Sequence, residues 1–169
     1  MTLAYRSYTA YKATISGNYV ITKPSGTVEG DTLVFIASWG WNGLSGNDLT
    51  PPAGWTQKKY RTVDNENGSY GVWTRTAGAS EGSSYSWVPD GLMQMTSIMI
   101  CLSGGHGTPV DVESYTDSSG ITTGDVTISS VTTNYANSIV IAGLCTRAYD
   151  TGTTTWTPPT GFTDLVDKY

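Results

Sequence analysis

An internal duplication constrains this sequence of 169 residues more than any other feature. Residues 49–56 read LTPPAGWT and residues 156–163 read WTPPTGFT, so the pattern Thr-Pro-Pro-x-Gly-aromatic-Thr recurs after 107 residues. The same shift, without a gap, places residues 31–37 on residues 138–144. One unit used twice, with a long apolar strand and a sharp corner in each copy, suits a two-sheet β-sandwich of jelly-roll-like form with an internal pseudo-repeat.

Composition and residue alternation favour strands throughout the chain. The 20 Gly and 7 Pro supply turns, and the 11 Tyr and 6 Trp suit strand positions, whereas only 14% of the residues are charged. No stretch has helical periodicity, and apolar or alternating runs recur between clusters of turn residues. We therefore predict an all-β, antiparallel fold with strands near residues 11–15, 19–23, 32–41, 55–63, 70–76, 84–88, 95–103, 110–115, 125–130, 138–146 and 162–167.

The duplication also sets the predicted domain organisation. Residues 1–18 are expected to form an N-terminal arm and first strand, and residues 19–169 the β-sandwich, with halves of about 19–104 and 125–169. After the shared corner, the first half continues through three further strands, whereas the second half ends within a few residues. Either the sequence belongs to a longer chain or a neighbour completes the second half. Because an unpaired edge strand invites association, we expect a homo-oligomer, most simply one with cyclic symmetry.

Turn residues predict two specific connections. In the Pro-Pro-x-Gly corner, proline cannot donate to a strand ladder and glycine permits a reversal, so the chain should leave one sheet there and begin another. Trp55 and Phe162, which follow the two corners, are expected to close one end of the core. An Asn-Gly pair at positions 67 and 68 predicts a tight hairpin between the strands on either side of it.

Charge and cysteine content exclude several classes of partner. The 14 acidic and 9 basic residues give a net charge of −5, which leaves no electrostatic footprint for nucleic acid. No run approaches the roughly 20 apolar residues of a membrane span, and the first residues lack a secretion signal, so we expect no membrane insertion and synthesis in a cytoplasm. Cys101 and Cys145 lie in apolar runs and are expected to be buried free thiols, with a disulfide as the alternative.

The sequence carries no convincing catalytic or metal-binding constellation. Residues 78–82 match the Gly-x-Ser-x-Gly string of a nucleophile elbow, but a strand-like segment follows instead of a helix. A hydrolase would have to use Ser80 with the one histidine, His106, so a turn between two strands is preferred. One His and two Cys in apolar runs cannot assemble a zinc site, and the acidic residues between 111 and 117 lack calcium-loop spacing. We therefore predict a non-enzymatic protein with no cofactor and no metal.

Aromatic residues are the remaining candidates for contact with a partner. Alternation places Trp39 and Trp41 on one face of their strand, and Tyr85 and Trp87 on one face of another, while Trp73 lies on a third strand. Each ring has three interpretations, of which core packing is preferred. The other two are burial in a subunit interface and stacking on a sugar, so these five residues are the candidates for interface or glycan contact.

A tyrosine series near the N-terminus is a candidate assembly arm. Tyr5, Tyr8 and Tyr11 lie three residues apart in a Ser/Thr-rich segment, where they are placed to reach a neighbouring subunit. A frayed chain terminus is the alternative interpretation, because the first residues of a domain are often poorly ordered unless they are tied down.

Three segments carry a resemblance to a known group of proteins. They are residues 21–34 (ITKPSGTVEGDTLV), 51–56 (PPAGWT) and 73–81 (WTRTAGASE). They resemble β-sandwich domains of bacteriophage virion proteins, namely tail-fibre, minor tail and head-decoration components, over most of residues 21–163. The resemblance implies a non-enzymatic structural protein at the virion surface, made in the host cytoplasm and acting as capsid decoration or as a tail-fibre or adhesin component.

Within that interpretation, the expected partners are copies of the same chain, other virion proteins and a host-surface glycan. The Gly- and Asn-rich segment at residues 40–50 and the segment at residues 149–155 are the loops expected to meet a glycan. The alternative from another class is a carbohydrate-binding module associated with a polysaccharide-active enzyme. That alternative predicts coplanar Trp rings exposed to solvent.

Overall fold

The computed structural model describes residues 3–40, 48–63, 68–104, 114, 127, 129–143 and 157–164. Eight β-strands lie in these residues, and no helix does. Strands β2, β3 and β5 to β8 lie where residue alternation predicts them. The strands are β1 (Ala4–Ile15), β2 (Tyr19–Thr22), β3 (Thr32–Gly40), β4 (Leu49–Thr50), β5 (Thr56–Val63), β6 (Gly68–Thr76), β7 (Ser84–Pro89) and β8 (Met93–Ser103).

The strands form two antiparallel sheets that pack face to face. The larger sheet has the order β1-β8-β3-β6-β5, and the smaller one has the order β2-β7-β4. Every pairing is antiparallel, including the predicted pairing of β5 with β6. This arrangement confirms the all-β, two-sheet β-sandwich, whereas its jelly-roll-like form stays a prediction.

The core lies between the sheets and is built from side chains that alternate along the strands. On β3, Leu33, Phe35, Ala37 and Trp39 face inward and are buried. The Phe35 ring stacks on Trp87 of the smaller sheet, with the ring centroids 4.1 Å apart. Full burial of a side chain such as Phe contributes about 1.5–3 kcal/mol. These rings therefore fasten one sheet to the other.

The Pro-Pro-x-Gly corner carries the chain from one sheet to the other, as predicted. It connects β4 of the smaller sheet to β5 of the larger one. The Trp55 N–H donates to the Pro52 carbonyl over 3.4 Å, and Gly54 has a φ of 86°, a value that favours glycine. Trp55 is buried and closes the end of the core. Phe162 is 40% exposed, so the prediction that it does the same is wrong.

The second copy of the unit repeats the turns of the first copy but not its strands. Gly161 has a φ of 91°, like Gly54 at 86°, and Asn137 has a φ of 64°, like Gly30 at 84°. Both pairs are separated by the 107 residues of the duplication. No strand forms at the described residues 129–130, 138–143 and 162–164, so the strands predicted there are wrong. Most of the strand predicted at residues 110–115 lies outside the described residues.

Part of the second copy covers the outer face of the larger sheet instead. Val34, Ile100 and Leu102 lie on that face and are nevertheless buried. Ile139 and Ile141 pack against them without pairing to any strand among the described residues. The physical reason for the missing strand is that a strand requires hydrogen-bonding partners, whereas apolar side chains bury equally well in an unpaired segment.

The N-terminal segment is an edge strand from Ala4 onwards, whereas residues before 11 are predicted to form an arm. Strand β1 begins at Ala4 and pairs with β8 as far as Ile15, opposite Met93. The sequence places the first strand only at residues 11–15, because the Ser/Thr-rich residues before it show little apolar alternation. The long apolar strand β8 supplies the pairing that the local pattern does not reveal.

Candidate functional site

Four of the five aromatic candidates lie inside the sandwich. Trp73 and Trp87 are fully buried, Trp39 is 4% exposed and Tyr85 is 7% exposed. Their rings pack on one another, with the Trp73 and Trp87 centroids 4.9 Å apart and Trp39 6.1 Å from Trp73. This placement favours core packing over a subunit interface or a glycan contact. Trp41 lies outside the described residues.

The packing around Trp73 requires glycine on the same strand. Trp73 lies on the inner face of β6, and Gly71 precedes it on that face. A methyl group at Gly71 would overlap the six-membered ring of Trp73. Alternation in the sequence correctly groups these residues on one face, but it does not indicate which face points inward.

The three tyrosines near the N-terminus are exposed on β1. Tyr5, Tyr8 and Tyr11 are 45%, 38% and 50% exposed. In a regular strand, residues three apart point to opposite faces, but the register of β1 shifts at Arg6. Tyr5 and Tyr8 therefore lie opposite Leu102 and Ile100 on the outer face. Tyr11 lies on the inner side, with its ring 5.7 Å from that of Tyr19.

Tyr5 and Tyr8 form a small aromatic patch. Partial burial and the neighbouring Tyr8 phenol raise the pKa of Tyr5 above its usual value. Its hydroxyl is therefore neutral at physiological pH and is able to donate a hydrogen bond to a partner. A patch of rings with polar tips is typical of protein interfaces, where one end of the ring is buried and the other is wet.

Strand β1 has one side open among the described residues. It forms the edge of the larger sheet and pairs only with β8 there. Its 12 residues make it twice as long as a typical strand of about 5–6 residues. An edge of this length is a template for another strand. The bulge at Arg6 and the charge of Lys12 are features that oppose indiscriminate pairing at such an edge.

A buried carboxylate ties β1 to the turn before β3. Arg6 lies at the bulge of β1, and its Nε and Nη2 approach Asp31 Oδ2 and Oδ1 at 2.9 and 3.1 Å. The Val28 N–H donates to Oδ2 over 2.9 Å, and the Cys101 thiol donates to the same atom over 3.4 Å. Burial alone would raise the pKa of Asp31, but the hydrogen bonds from Val28 and Arg6 outweigh it and lower the pKa.

Cys101 is the free, buried thiol that its sequence context predicts. Burial raises its pKa, which keeps the sulfur protonated and unreactive. A free Cys101 rules out the alternative of a disulfide with Cys145 in this structure, and Cys145 itself lies outside the described residues.

A second ion pair holds the Pro-Pro-x-Gly corner. Arg75 Nε lies 2.9 Å from Glu81 Oε1, and Arg75 Nη1 donates to the Ala53 carbonyl over 2.8 Å. Glu81 Oε2 also accepts a hydrogen bond from the Gly78 N–H over 2.7 Å. Burial would raise the pKa of Glu81, but the bonds from Gly78 and Arg75 dominate and lower it.

The Gly-x-Ser-x-Gly string forms the turn between β6 and β7. This confirms the predicted connection of two strands, which lacks the helix of a nucleophile elbow. Ser80 lies in that turn, and His106 lies outside the described residues. Glu81 of the same turn is already engaged by Arg75. The string therefore has a structural role, because its Glu81 pairs with the arginine that holds the Pro-Pro-x-Gly corner.

A cleft of about 330 Å³ lies between the edge strands β4 and β5, where the two sheets separate. The Tyr60 hydroxyl donates to Asp48 Oδ1 across it. The Tyr60 ring also packs on Trp39, with centroids 5.6 Å apart. Three of its lining residues belong to the segment at residues 40–50 that is expected to meet a glycan, whereas sequence patterns did not indicate the other three. Its lining residues are Asp48, Leu49, Thr50, Pro51, Gln57 and Tyr60.

No group of three or more His, Cys, Asp or Glu side chains suited to a metal ion occurs in the described parts of the chain. Those parts also contain no helix that is long and apolar enough to cross a membrane. Comparisons with protein-family models, curated proteins and solved structures found no match.

Proposed function

We propose that this protein is a non-enzymatic structural and contact protein of a bacteriophage virion surface, as capsid decoration or as a tail-fibre or adhesin component. The observation that supports it is β1, a 12-residue edge strand with an open side among the described residues and three exposed tyrosines. The resemblance of residues 21–34, 51–56 and 73–81 to virion β-sandwich domains supports the same role.

The proposed contact uses both the backbone and the side chains of β1. A strand from a second copy, or from a neighbouring virion protein, hydrogen-bonds to the open side and extends the larger sheet. Tyr5 and Tyr8 then pack against the partner on the outer face, where their rings lose solvent contact and their hydroxyls find polar partners. Such pairing supplies affinity through the backbone and specificity through the tyrosines.

The alternative of a carbohydrate-binding module attached to a polysaccharide-active enzyme is not adopted. It requires a platform of Trp rings facing solvent. Trp39, Trp73 and Trp87 are buried against one another and offer no such platform in the described part of the chain.

The first test replaces one tyrosine of β1. We expect Tyr8→Glu to weaken self-association by about tenfold or more, because a carboxylate in the contact would be buried without a partner. Sedimentation velocity over a concentration series measures the association constant. Urea unfolding checks that the variant stays folded, which we expect because Tyr8 is 38% exposed.

The matched control is Val20→Glu on β2. Val20 is 54% exposed and lies on β2, an edge strand of the smaller sheet. The variant therefore places the same charge on an edge strand other than β1. We expect it to associate like the native chain. A native chain that stays monomeric both alone and with the other virion proteins, or equal effects of the two variants, would contradict the proposal.

The position in the particle is decided by copy number. Hundreds of copies in a purified virion indicate capsid decoration, whereas about a dozen or fewer indicate a fibre or adhesin. Quantitative mass spectrometry against the major capsid protein measures this number. Absence of the chain from the particle would contradict both locations.

A further inference from the structure

The cleft between β4 and β5 has a rigid base and a polar rim. Leu49 is buried at 3% exposure and closes the base, while β4 is fixed by its pairing with β7. The Asp48 carbonyl also accepts a hydrogen bond from the Asp90 N–H over 3.0 Å. A volume of about 330 Å³ lies at the lower end of the usual range for small-ligand sites. Backbone hydrogen bonds thus fix the β4 side of the cleft.

The Tyr60 ring forms one wall, and two contacts hold it in place. Its hydroxyl donates to Asp48 Oδ1, and its face leans on the buried Trp39 ring, 5.6 Å away at an interplanar angle of 51°. A ring anchored at both its tip and its face loses little conformational entropy when a ligand packs on it. Such a wall suits the apolar C–H face of a sugar ring.

The rim supplies donors and acceptors of the kind that hydroxyl groups need. Asp48 contributes a carboxylate, Gln57 an amide with both a donor and an acceptor, and Thr50 a hydroxyl. All three side chains are exposed to solvent. A carboxylate and an amide accept from and donate to neighbouring hydroxyl groups, which is the polar pattern that a sugar presents.

Charge selects among ligands. Among the described residues that line the cleft there is neither Lys nor Arg, and Asp48 brings a negative charge to a chain that already carries a net charge of −5. Phosphate and carboxylate groups are therefore repelled. A neutral ligand rich in hydroxyl groups fits both the wall and the rim.

We propose that this cleft binds one or two rings of a neutral glycan of the host surface. The proposal deepens the host-contact part of the proposed function and rests on it only for the source of the glycan. Asp48, Leu49 and Thr50 of the cleft belong to the segment at residues 40–50, whose composition predicts contact with a glycan. Asp48 and Gln57 are the residues that recognise hydroxyl groups, and Tyr60 is the wall on which a sugar ring packs.

Saturation-transfer NMR on the full chain tests the proposal directly. The probes are lactose, cellobiose, maltose and chitobiose at millimolar concentrations, with glucuronic acid as the anionic comparison. We expect at least one neutral disaccharide to give a transfer signal and glucuronic acid to give none. Silence of all four neutral probes, or preferred binding of the acid, would overturn the proposal.

Two variants locate the binding. We expect Gln57→Ala to weaken binding of the active disaccharide by about tenfold, because the hydroxyl groups lose a partner that water replaces only in part. The control is Gln94→Ala, since Gln94 is an exposed glutamine at the start of β8 in the other part of the sheet. Equal effects of the two variants, or no effect of Gln57→Ala, would place the sugar elsewhere and overturn the assignment.

The outcome is separable from that of the assembly test. Gln57 does not lie on β1, so Gln57→Ala should self-associate and enter particles like the native chain. Loss of sugar binding with normal assembly supports the cleft, whereas silent probes with normal assembly remove the cleft and leave the structural role standing. A sugar signal in a chain that does not assemble removes the structural role alone.

Discussion

Two arginine–carboxylate pairs fasten the turns at which the chain reverses. Arg6 holds Asp31 beside Gly30, whose φ is 84°, and Arg75 holds the carbonyl of Ala53 beside Gly54, whose φ is 86°. A methyl group on Gly54 would overlap the Arg75 guanidinium. Each turn therefore combines a glycine that permits the reversal with a cation that fixes it.

We expect Asp31→Asn to destabilise the protein by about 1–3 kcal/mol at neutral pH, because charged hydrogen bonds to a buried carboxylate are lost. The folded-state pKa of Asp31 is below its usual 3.8, so unfolding takes up protons in acid. Its contribution to stability is present above about pH 4 and is lost as pH falls through the folded-state pKa. The difference between native and variant chains should therefore shrink as pH falls below about 4.

Urea unfolding at a series of pH values measures this difference. The control is Glu29→Gln, which removes an exposed carboxylate two residues away in the same turn and should change stability by less than about 0.5 kcal/mol. A loss in Asp31→Asn that is the same at pH 2 and pH 7 would mean that shape, and not charge, is what the turn requires.

At the scale of single residues, sequence patterns predicted which side chains are buried better than they predicted which side chains touch. The buried state of Cys101 followed from its apolar neighbours. The roles of Asp31 and Glu81 did not, because their partners lie far along the chain or around a turn and no periodicity links them. A bulge at Arg6 likewise leaves no trace in the sequence, yet it decides which tyrosines share a face.

Among the elements, β3 shows what covering both faces of a sheet does to a strand. Its burial is nearly continuous from Thr32 to Ala37, instead of alternating. The inner face packs on the smaller sheet, and the outer face lies under Ile139 and Ile141 of the second copy. The larger sheet is thus sandwiched between two apolar layers near Val34.

We expect Ile141→Asp to destabilise the protein by about 1–3 kcal/mol, because it places a carboxylate against the apolar outer face of the sheet. The control is its neighbour Val140, which is 45% exposed and should tolerate Val140→Asp within about 0.5 kcal/mol. Chemical unfolding measures both. Equal stability of the two variants would show that the segment does not cover the sheet in solution.

Strand prediction succeeded where the strand's own residues alternate. It failed where the formation of a strand depends on pairing with a distant segment. Alternating residues placed β5 to β8 correctly. The two-residue strand β4 was missed, since two positions cannot alternate, and β1 was placed too late because its pairing with β8 is not local. The segment at 138–143 has the composition of β3 but no strand pairing, so composition alone was misleading there.

For the whole molecule, the acidic balance and the open edge act against each other. A net charge of −5 makes copies of the chain repel one another at neutral pH, whereas the proposed association uses the side of β1 that is unpaired among the described residues. The sequence pI of about 4.6 marks the pH at which the repulsion vanishes. At that pH, charge repulsion should no longer oppose the proposed pairing at β1.

We expect light scattering by the purified protein to rise to a maximum near pH 4.6, where the net charge is zero. Tyr8→Glu should scatter less at that pH, because the added charge lies on β1, the edge proposed to pair between copies. Val20→Glu, with the same charge on the other sheet, serves as the comparison. A maximum more than about one pH unit away would indicate that edge pairing does not depend on net charge.

The pairing of β1 with β8 also orders events in time. Ser103 lies opposite Ala4 and donates a side-chain hydrogen bond to its carbonyl, across 99 residues of sequence. During synthesis, β1 is translated before the other described strands and meets its partner strand only after all of them have been translated. Contacts of such long range slow folding. Until β8 is made, β1 therefore has no pairing partner among the described strands, and its backbone hydrogen-bonding groups stay exposed.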